Sequence, residues 1–156
     1  MKAAATLSLL QELHRERLTL FDRHIKGAQV VADYEFNNTY QYVIGREEHH
    51  LQWVRKAIED LGGTAEMSIT ALAVPAGKGK KREDAVLQDD VRHQQAFIDK
   101  WTPRVEAMTN ARHRTMLTVL AHDGLEQRNR VRVLRIARHG FAQALQRSVR
   151  IGEVLA

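Results

Sequence analysis

Apolar residues recur every three or four positions along most of the chain, which is the spacing of amphipathic helices. The pattern covers four long segments, at about residues 5–32, 33–61, 83–109 and 111–138, and a shorter one at 141–154. Asp33 is suited to cap the second segment at its start, and the pair Gly62-Gly63 is a common way for a helix to end. The pattern therefore predicts a single all-α domain over residues 1–156, with four long helices and a short fifth one.

Residues 62–81 are the one segment with the composition of a linker, because four glycines and Pro75 fall there. About 20 residues can extend over roughly 60 Å, which exceeds the roughly 42 Å of each long helix. Short turns join the first helix to the second and the third to the fourth, so each pair is predicted to form an antiparallel hairpin. The linker is long enough to cross the bundle between the hairpins. A generic bundle with a flexible loop is the alternative.

Composition and motifs narrow the functional classes. The chain has 156 residues, of which 44% are hydrophobic and 28% charged, with only 9 Gly and 2 Pro, and this excludes collagen-like and disordered classes. There is no cysteine, so disulfides, thiolate metal sites and cysteine nucleophiles are excluded. Sequence motifs for dinucleotide or nucleotide binding, for zincin proteases and for serine hydrolases are absent.

The formal net charge is +5, and the location of the excess positive charge along the chain indicates which kind of binding partner to expect. Residues 111–156 contain 9 Arg and 3 acidic residues, so this segment carries the whole excess. Such a surface can contact nucleic-acid phosphates, but a solvated helix face is the interpretation that we favour. The N-terminus becomes polar too soon for a signal peptide, and no run reaches the roughly 20 apolar residues of a membrane span. We expect a cytoplasmic protein without a membrane partner.

Acidic residues and histidines interrupt the apolar faces of the predicted helices. On the second helix, Glu47 lies in the middle of the apolar stripe, and His50 shares that face. On the third helix, Asp90 is central and His93 lies beside it. The remaining candidates are Glu126 with His122 on the fourth helix, Glu16 at the edge of the first stripe and His24 near its centre. A buried carboxylate is costly unless it is paired or bound to a metal, so we expect each acid to have a partner.

Two kinds of partner explain this pattern. In a structural ion network, nearby arginines would neutralise the acids, with the pairs Arg17 and Glu47, Arg130 and Glu126, and Arg92 and Asp90. In a metal cage, the carboxylates and imidazoles would bind one or two ions, and mixed oxygen and nitrogen ligands favour Fe or Mn. The candidate metal ligands are Glu16, Glu47, His50, Asp90, His93, His122 and Glu126.

The second helix contains the stretch GREEHHLQWV from Gly45 to Val54, ends with AIEDLGG from Ala57 to Gly63 and follows ADYEF at Ala32 to Phe36. These stretches resemble the second helix of the rubrerythrin and ferritin-like superfamily, in which Glu-x-x-His supplies two ligands of a di-iron site. The resemblance implies a ferritin-like four-helix bundle, with two antiparallel hairpins and a long crossover, plus the short fifth helix. It also implies that Glu47 is a carboxylate ligand and His50 an imidazole ligand.

The fourth helix departs from the pattern of that superfamily. A second Glu-x-x-His is expected there, but Asn129 stands three residues after Glu126, and His122 precedes this acid by four residues. The pair formed by Asp123 and Glu126 is another substitution for the motif. His93, His122 and Glu126 could rebuild the missing half of the site, or the site could hold one metal or none.

These observations lead to two functional hypotheses. The resemblance implies a ferritin-like protein with a di-metal centre of iron or manganese, and with oxygen or peroxide chemistry or iron handling as its activity. The alternative is a metal-free ferritin-like interaction or nucleic-acid-binding module whose buried polar pairs are structural. The residues do not decide whether the protein is an enzyme. The fifth helix and the crossover leave part of the bundle surface uncovered, and we therefore predict a homo-oligomer, most simply a dimer.

Overall fold

A computed structural model describes residues 3–126 and 129–131 of the chain. Helix α1 spans Ala3–Val30, α2 spans Tyr34–Asp60 and α3 spans Gly79–Glu106. Helix α4 covers residues 111–126, and 129–131 are also helical. The all-α prediction is confirmed for these residues, and none of their helices is long and apolar enough to cross a membrane. The end of the predicted fourth helix, the predicted fifth helix at 141–154 and most of the C-terminal arginines lie outside the described residues.

The described helix boundaries lie within three residues of the predicted ones, except at the start of α3. The side chain of Asp33 accepts hydrogen bonds from the backbone amides of Glu35 and Phe36, at 3.2 and 3.4 Å, as expected of an N-cap. Gly62 has a φ of +77°, the left-handed conformation in which many helices end. Helix α3 begins at Gly79 rather than near residue 83, because the basic residues that follow Gly79 are good helix formers. The linker therefore covers residues 61–78 rather than the predicted 62–81.

Helix α1 contacts both α2 and α3 and runs antiparallel to each of them. Near the start of α1, the side chain of Gln11 donates a hydrogen bond to the carbonyl of Thr64, just beyond the end of α2, at 3.0 Å. Close to Gln11, Glu12 accepts a hydrogen bond from Arg104, near the end of α3, at 2.9 Å. Helices α2 and α3 are therefore parallel, and the linker returns the chain along the length of the bundle.

The interior consists of two apolar clusters with a polar layer between them. The larger cluster includes Leu10, Leu13, Val54, Ile58 and Trp101. The smaller cluster is formed by Val31, Phe36, Tyr40, Val86 and Leu87. On α2 and on α3, the buried polar residues lie between the residues that belong to the two clusters. The fold therefore holds charged side chains in the middle of the bundle, with apolar packing on either side.

Two glycines allow the helices to approach each other at this polar layer. A Cβ atom on Gly27 would lie 3.0 Å from the Tyr40 hydroxyl and 3.1 Å from a carboxylate oxygen of Asp90. A Cβ atom on Gly124 would overlap the side-chain amide of Gln94. Glycine at these positions therefore makes room for polar side chains from the neighbouring helices.

Candidate functional site

Eight buried polar side chains form a layer to which all four helices contribute. They are Arg17, Arg23 and His24 from α1, Glu47 and His50 from α2, Asp90 and Gln94 from α3, and Asp123 from α4. The helical period places them there: Glu47, for example, is four residues after Val43 and four before Leu51, which are both buried. We call these eight residues the buried polar layer.

Glu47 has two basic partners in this layer. Its Oε2 lies 2.7 Å from Nδ1 of His24, and its Oε1 lies 3.3 Å from a guanidinium nitrogen of Arg17. The side chains of Glu47 and Arg17 are both 0% exposed, so this predicted pair is confirmed. Burial raises the pKa of Glu47, but His24 and Arg17 outweigh it, and the pKa is lowered. Burial lowers the pKa of His24, but Glu47 outweighs it, and the pKa is raised. Glu47 is therefore an anion that contacts the guanidinium of Arg17 and the imidazole of His24, and it favours the protonated form of that imidazole.

Asp90 is held by a phenol and a guanidinium. The Tyr40 hydroxyl donates a hydrogen bond to Oδ2 of Asp90. A guanidinium nitrogen of Arg23 lies 3.1 Å from Oδ1 of Asp90 and 3.1 Å from Oδ2 of the adjacent Asp89. Burial raises the pKa of Asp90 more than the neighbouring cations lower it. Burial, followed by the charge of Asp90, also raises the pKa of Tyr40, so the phenol keeps its proton and stays a donor.

His50 makes a hydrogen bond to Asp123 rather than an ion pair. Its Nε2 lies 3.0 Å from Oδ2 of Asp123, and Nε of Arg46 lies 3.1 Å from the same oxygen. Burial, followed by the charge of Arg17, lowers the pKa of His50 to about 4, although Asp123 acts in the opposite direction. The imidazole is therefore neutral at pH 7, and its N–H donates to a carboxylate that Arg46 neutralises.

A small cavity adjoins the buried polar layer. Its volume is about 30 Å³, and its lining residues are His24, Thr39, Tyr40, Val43, Asp90, Val91, Gln94 and Val131. Gln94 accepts a hydrogen bond from Arg17 at 3.5 Å, whereas its amide nitrogen is buried and has no hydrogen-bond partner among the described residues. Most of the cavity wall is apolar despite these polar side chains, and its volume corresponds to about one or two water molecules, which is too small for a substrate.

Two of the predicted ligands, Glu16 and His93, lie outside the buried polar layer. Glu16 is partly exposed, accepts a hydrogen bond from the indole nitrogen of Trp101 at 2.8 Å and pairs with Lys100. His93 is about one-third exposed and lies 3.4 Å from Asp89. Both residues line a surface pocket of about 330 Å³ between α1, α3 and the linker. The structure therefore brings them to one surface site, but not to Glu47.

Glu126 and His122 lie on the exposed side of α4, so the prediction that they are buried is wrong. The buried positions of this helix are His113, Leu117, Leu120, Asp123 and Gly124. Glu126 is two residues beyond Gly124, or about 200° around the helix. Its side chain is 49% exposed and pairs with Arg130 at 3.1 Å, which is the predicted pair but at the surface. Asp123 is the buried carboxylate of α4.

The predicted pair between Arg92 and Asp90 is also wrong. Arg92 is exposed and pairs with Asp89 in the preceding turn of α3. Asp90 pairs with Arg23 of α1 instead. Sequence analysis missed Arg23, although it lies three residues after one buried residue of α1 and four before another, which was the available signal.

The residues of the buried polar layer do not fit a di-metal centre. Among the described residues, no group of three or more His, Asp and Glu side chains is arranged to hold a metal ion. The Glu-x-x-His pair is directed elsewhere, since Glu47 binds Arg17 and His24, and His50 binds Asp123. A guanidinium stays protonated and is never a ligand. Arg17 therefore neutralises the acid that a metal ion would otherwise neutralise.

Comparison with known proteins gives no relative from which a function could be transferred. No protein-family model matches the chain, and neither a curated protein nor a solved structure matches it. The geometry of the buried polar layer and of the surface is therefore the basis for the functional conclusion.

Proposed function

We propose that this chain is a metal-independent ferritin-like bundle that serves as a binding module. In it, buried ion pairs stand where a di-metal centre is expected. One observation carries the metal independence: Arg17 and Glu47 are both 0% exposed, and their charged groups are 3.3 Å apart. A buried carboxylate must be neutralised by a partner. Because arginine keeps its charge at physiological pH, Glu47 has that partner without any metal.

The ferritin-like part of the proposal is supported by the connectivity of the helices. Helices α1 and α2 form an antiparallel hairpin, and the linker then places α3 parallel to α2. One long crossover between hairpins distinguishes this type of bundle from simple up-down-up-down bundles.

A di-metal centre of iron or manganese is the second candidate. It is favoured by Glu47 and His50, which are both buried and lie three residues apart on α2. It would require Arg17 to leave the buried polar layer, and it would use Asp90 and Asp123 as the carboxylates of the other helices. The oxygen or peroxide chemistry and the iron handling that the resemblance implies depend on this candidate.

Metal analysis combined with thermal unfolding separates the two candidates. The protein is purified from cells grown with added iron and manganese, and its Tm is measured with Fe(II), with Mn(II) and with a chelator. A metal that binds only the folded state stabilises it by about 2.7 kcal/mol at 100 times its Kd. We expect substoichiometric metal and an unchanged Tm.

The matched control is Glu47→Gln, which removes the candidate ligand but keeps its shape. A metal centre would make the Tm of the wild type depend on metal, while the Tm of the variant would not. Stoichiometric iron or manganese together with this difference would refute metal independence.

The binding role is supported by large apolar side chains on the outer surfaces of two neighbouring helices. Tyr42 and Trp53 on α2 are each 46% exposed, and Val119 on α4 is 40% exposed. Tyr42 and Trp53 are eleven residues apart, which places them on the same face of α2, and large apolar side chains exposed on one face are typical of interaction surfaces. A homodimer remains a prediction, and gel filtration with light scattering is expected to give twice the chain mass of 17.8 kDa. A monomer mass would contradict it.

Nucleic-acid binding remains an alternative that we do not favour. Most of the arginines that favour it lie outside the described residues. If these arginines bind phosphates, the affinity for RNA should fall steeply as the salt concentration rises.

A further inference from the structure

The exposed face of α2 differs in composition from the exposed faces of α1 and α3. Of the ten exposed residues from Tyr34 to Trp53, three are Tyr or Trp and three are charged. Of the ten exposed residues of α3, six are charged and none is aromatic. Over their described lengths, neither α1 nor α3 exposes a large apolar side chain. Aromatic residues are enriched and charged residues depleted at the centre of protein interfaces, so the composition of α2 is that of a contact surface.

Gly45 lies in the middle of this face, and the contacts of its own chain do not explain a glycine there. A Cβ atom on Gly45 would meet no atom within 4 Å. Glycine in the interior of a helix is unfavourable relative to alanine. Gly27 and Gly124, by contrast, make room for polar side chains of neighbouring helices. The absence of a side chain at Gly45 gives the same room to the backbone of a second molecule.

Five residues form a band along the outer surface of α2. Tyr34, Asn38, Gly45, Gln52 and Lys56 lie within about 40° of one another around the helix, and they extend over about 33 Å. Asn38 and Gln52 are each seven residues from Gly45, while Tyr34 and Lys56 are each eleven residues from it. We call these residues the α2 band. Its spacing is symmetric about Gly45, as a contact between two identical helices across a two-fold axis requires.

The charges at the two ends of the band favour antiparallel over parallel pairing of two such helices. In a parallel pair, Glu35 would face Glu35 of the other copy, and Lys56 would face Lys56. In an antiparallel pair with the axis at Gly45, Glu35, ten residues before the axis, comes close to Lys56, eleven residues after it. Like charges that meet across an interface are unfavourable, whereas opposite charges favour association. The band is therefore complementary to an antiparallel copy of itself.

The aromatic end of the band also suits the basic end of a second copy. Tyr34 is 82% exposed, and the antiparallel arrangement brings its ring close to Arg55, where a guanidinium can pack over a tyrosine ring. Arg55 and Lys56 each pair with an acid one turn later in the helix, Glu59 and Asp60. Exposed pairs of this kind contribute little stability. They can therefore rearrange when the second copy binds.

We infer that α2 is the dimer interface, and that it packs antiparallel against α2 of a second copy with the two-fold axis at Gly45. Tyr42 and Trp53 lie on one flank of the α2 band, about 60–80° from Gly45 around the helix, so they border this contact. The inference rests on the homodimer of the proposed binding module and gives that dimer an interface. It involves no residue of the buried polar layer, so its failure would leave the conclusion about metal unchanged.

Gly45→Arg tests the interface without threatening the fold. The new side chain begins in open space, and arginine is a better helix former than glycine, so the Tm should equal or exceed that of the wild type. Two arginines at the axis would keep the helices apart, and the Kd of the dimer in sedimentation equilibrium should rise at least about 100-fold. Gln88→Arg, at an exposed position of α3, is the matched control and should keep the wild-type Kd. A dimer that both substitutions affect equally would overturn the inference but leave the homodimer itself standing.

Cysteine cross-linking tests the antiparallel arrangement, because the chain has no cysteine of its own. Gly45→Cys should form a covalent dimer on oxidation, since a disulfide joins Cα atoms about 4.4–6.8 Å apart. Asn38→Cys alone should not, because its two copies would be about 21 Å apart, whereas a mixture of Asn38→Cys and Gln52→Cys should cross-link. A covalent dimer of Asn38→Cys alone would indicate parallel pairing and overturn the inference. A monomeric wild type would also overturn it, since a partner other than a second copy would then have to cover this face.

Discussion

Replacement of Arg17 by methionine tests whether the buried ion pairs hold the bundle together. Methionine has a long side chain that fills much of the same space, but it carries no charge. In Arg17→Met, the carboxylate of Glu47 keeps its 2.7 Å contact with His24 and loses its contact with the guanidinium. Removing one member of a buried pair leaves the other charge without full compensation. We therefore expect a large loss of stability.

The distance between the two groups sets the scale of this loss. At 3.3 Å and an effective dielectric constant of 20, opposite unit charges attract each other by about 5 kcal/mol. The apolar side chain of methionine and uptake of a proton by Glu47 offset part of this loss. Breaking a buried pair costs about 3–5 kcal/mol in other proteins. Because a whole domain has about 5–15 kcal/mol of stability, we expect Arg17→Met to lower the Tm by about 10 °C.

Urea unfolding followed by circular dichroism measures this loss. The control is Arg15→Met, in which the same substitution is made two residues away. Arg15 is half exposed and pairs with Glu66 at 2.9 Å at the surface, so its removal should cost less than about 1 kcal/mol. The double variant Arg17→Met with Glu47→Met should recover most of the stability, because an apolar pair can replace a buried ion pair at little cost.

A loss of less than about 1 kcal/mol in Arg17→Met would refute this reasoning, since a buried Glu47 that keeps only His24 as its partner cannot be that inexpensive. A Tm that rises with added Fe(II) or Mn(II) in Arg17→Met, but not in the wild type, would instead mean that the guanidinium occupies the place of a metal ion.

Three further changes test single groups. Between pH 6.5 and 4 the unfolded state binds more protons than the folded state, because the folded-state pKa of His50 is about 4. As the pH falls through this range, the free energy of unfolding of the wild type should therefore decrease by about 3 kcal/mol more than that of His50→Gln, as measured by urea titration at each pH. Parallel pH profiles for the two proteins would contradict this. Gly27→Ala should lower the free energy of unfolding by about 1–3 kcal/mol in thermal unfolding, because the added methyl group would lie 3.0 Å from the Tyr40 hydroxyl. An increase of about 1 kcal/mol, from the better helix propensity of alanine, would show that the helices separate easily there. Asp33→Ala should cost about 1 kcal/mol by urea unfolding, since two backbone amides lose their cap, and Asp33→Asn should retain most of the stability if capping is the cause.

The spacing of residues along the sequence was enough to predict the helices and most of their buried faces. The spacing of apolar residues places His24, Glu47, His50 and Asp90 on buried faces, and all four are buried. The N-cap of α2 at Asp33 was also predicted from the sequence alone. These features depend on residues within one or two turns of the same helix, so local spacing is sufficient to predict them.

Helix α4 shows where local spacing becomes ambiguous. Its apolar residues are compatible with more than one buried face. The sequence analysis placed Glu126 at the centre of the buried face, and that prediction was wrong. Packing against α3 brings Gly124 next to Gln94, and this close approach turns Asp123 inward and Glu126 outward. The contact with another helix therefore selected the face.

Which charged side chains pair with each other depends on how the helices pack. Arg92 lies two residues after Asp90 in the sequence but is exposed, whereas Arg23, on a different helix, reaches Asp90 in the interior. The helical period places a side chain on a face of its own helix. The rotation and axial shift of one helix against another depend on how all the side chains between them pack. The preference for an ion network over a metal cage rests on the same kind of contact, because it depends on where the guanidinium of Arg17 lies relative to Glu47.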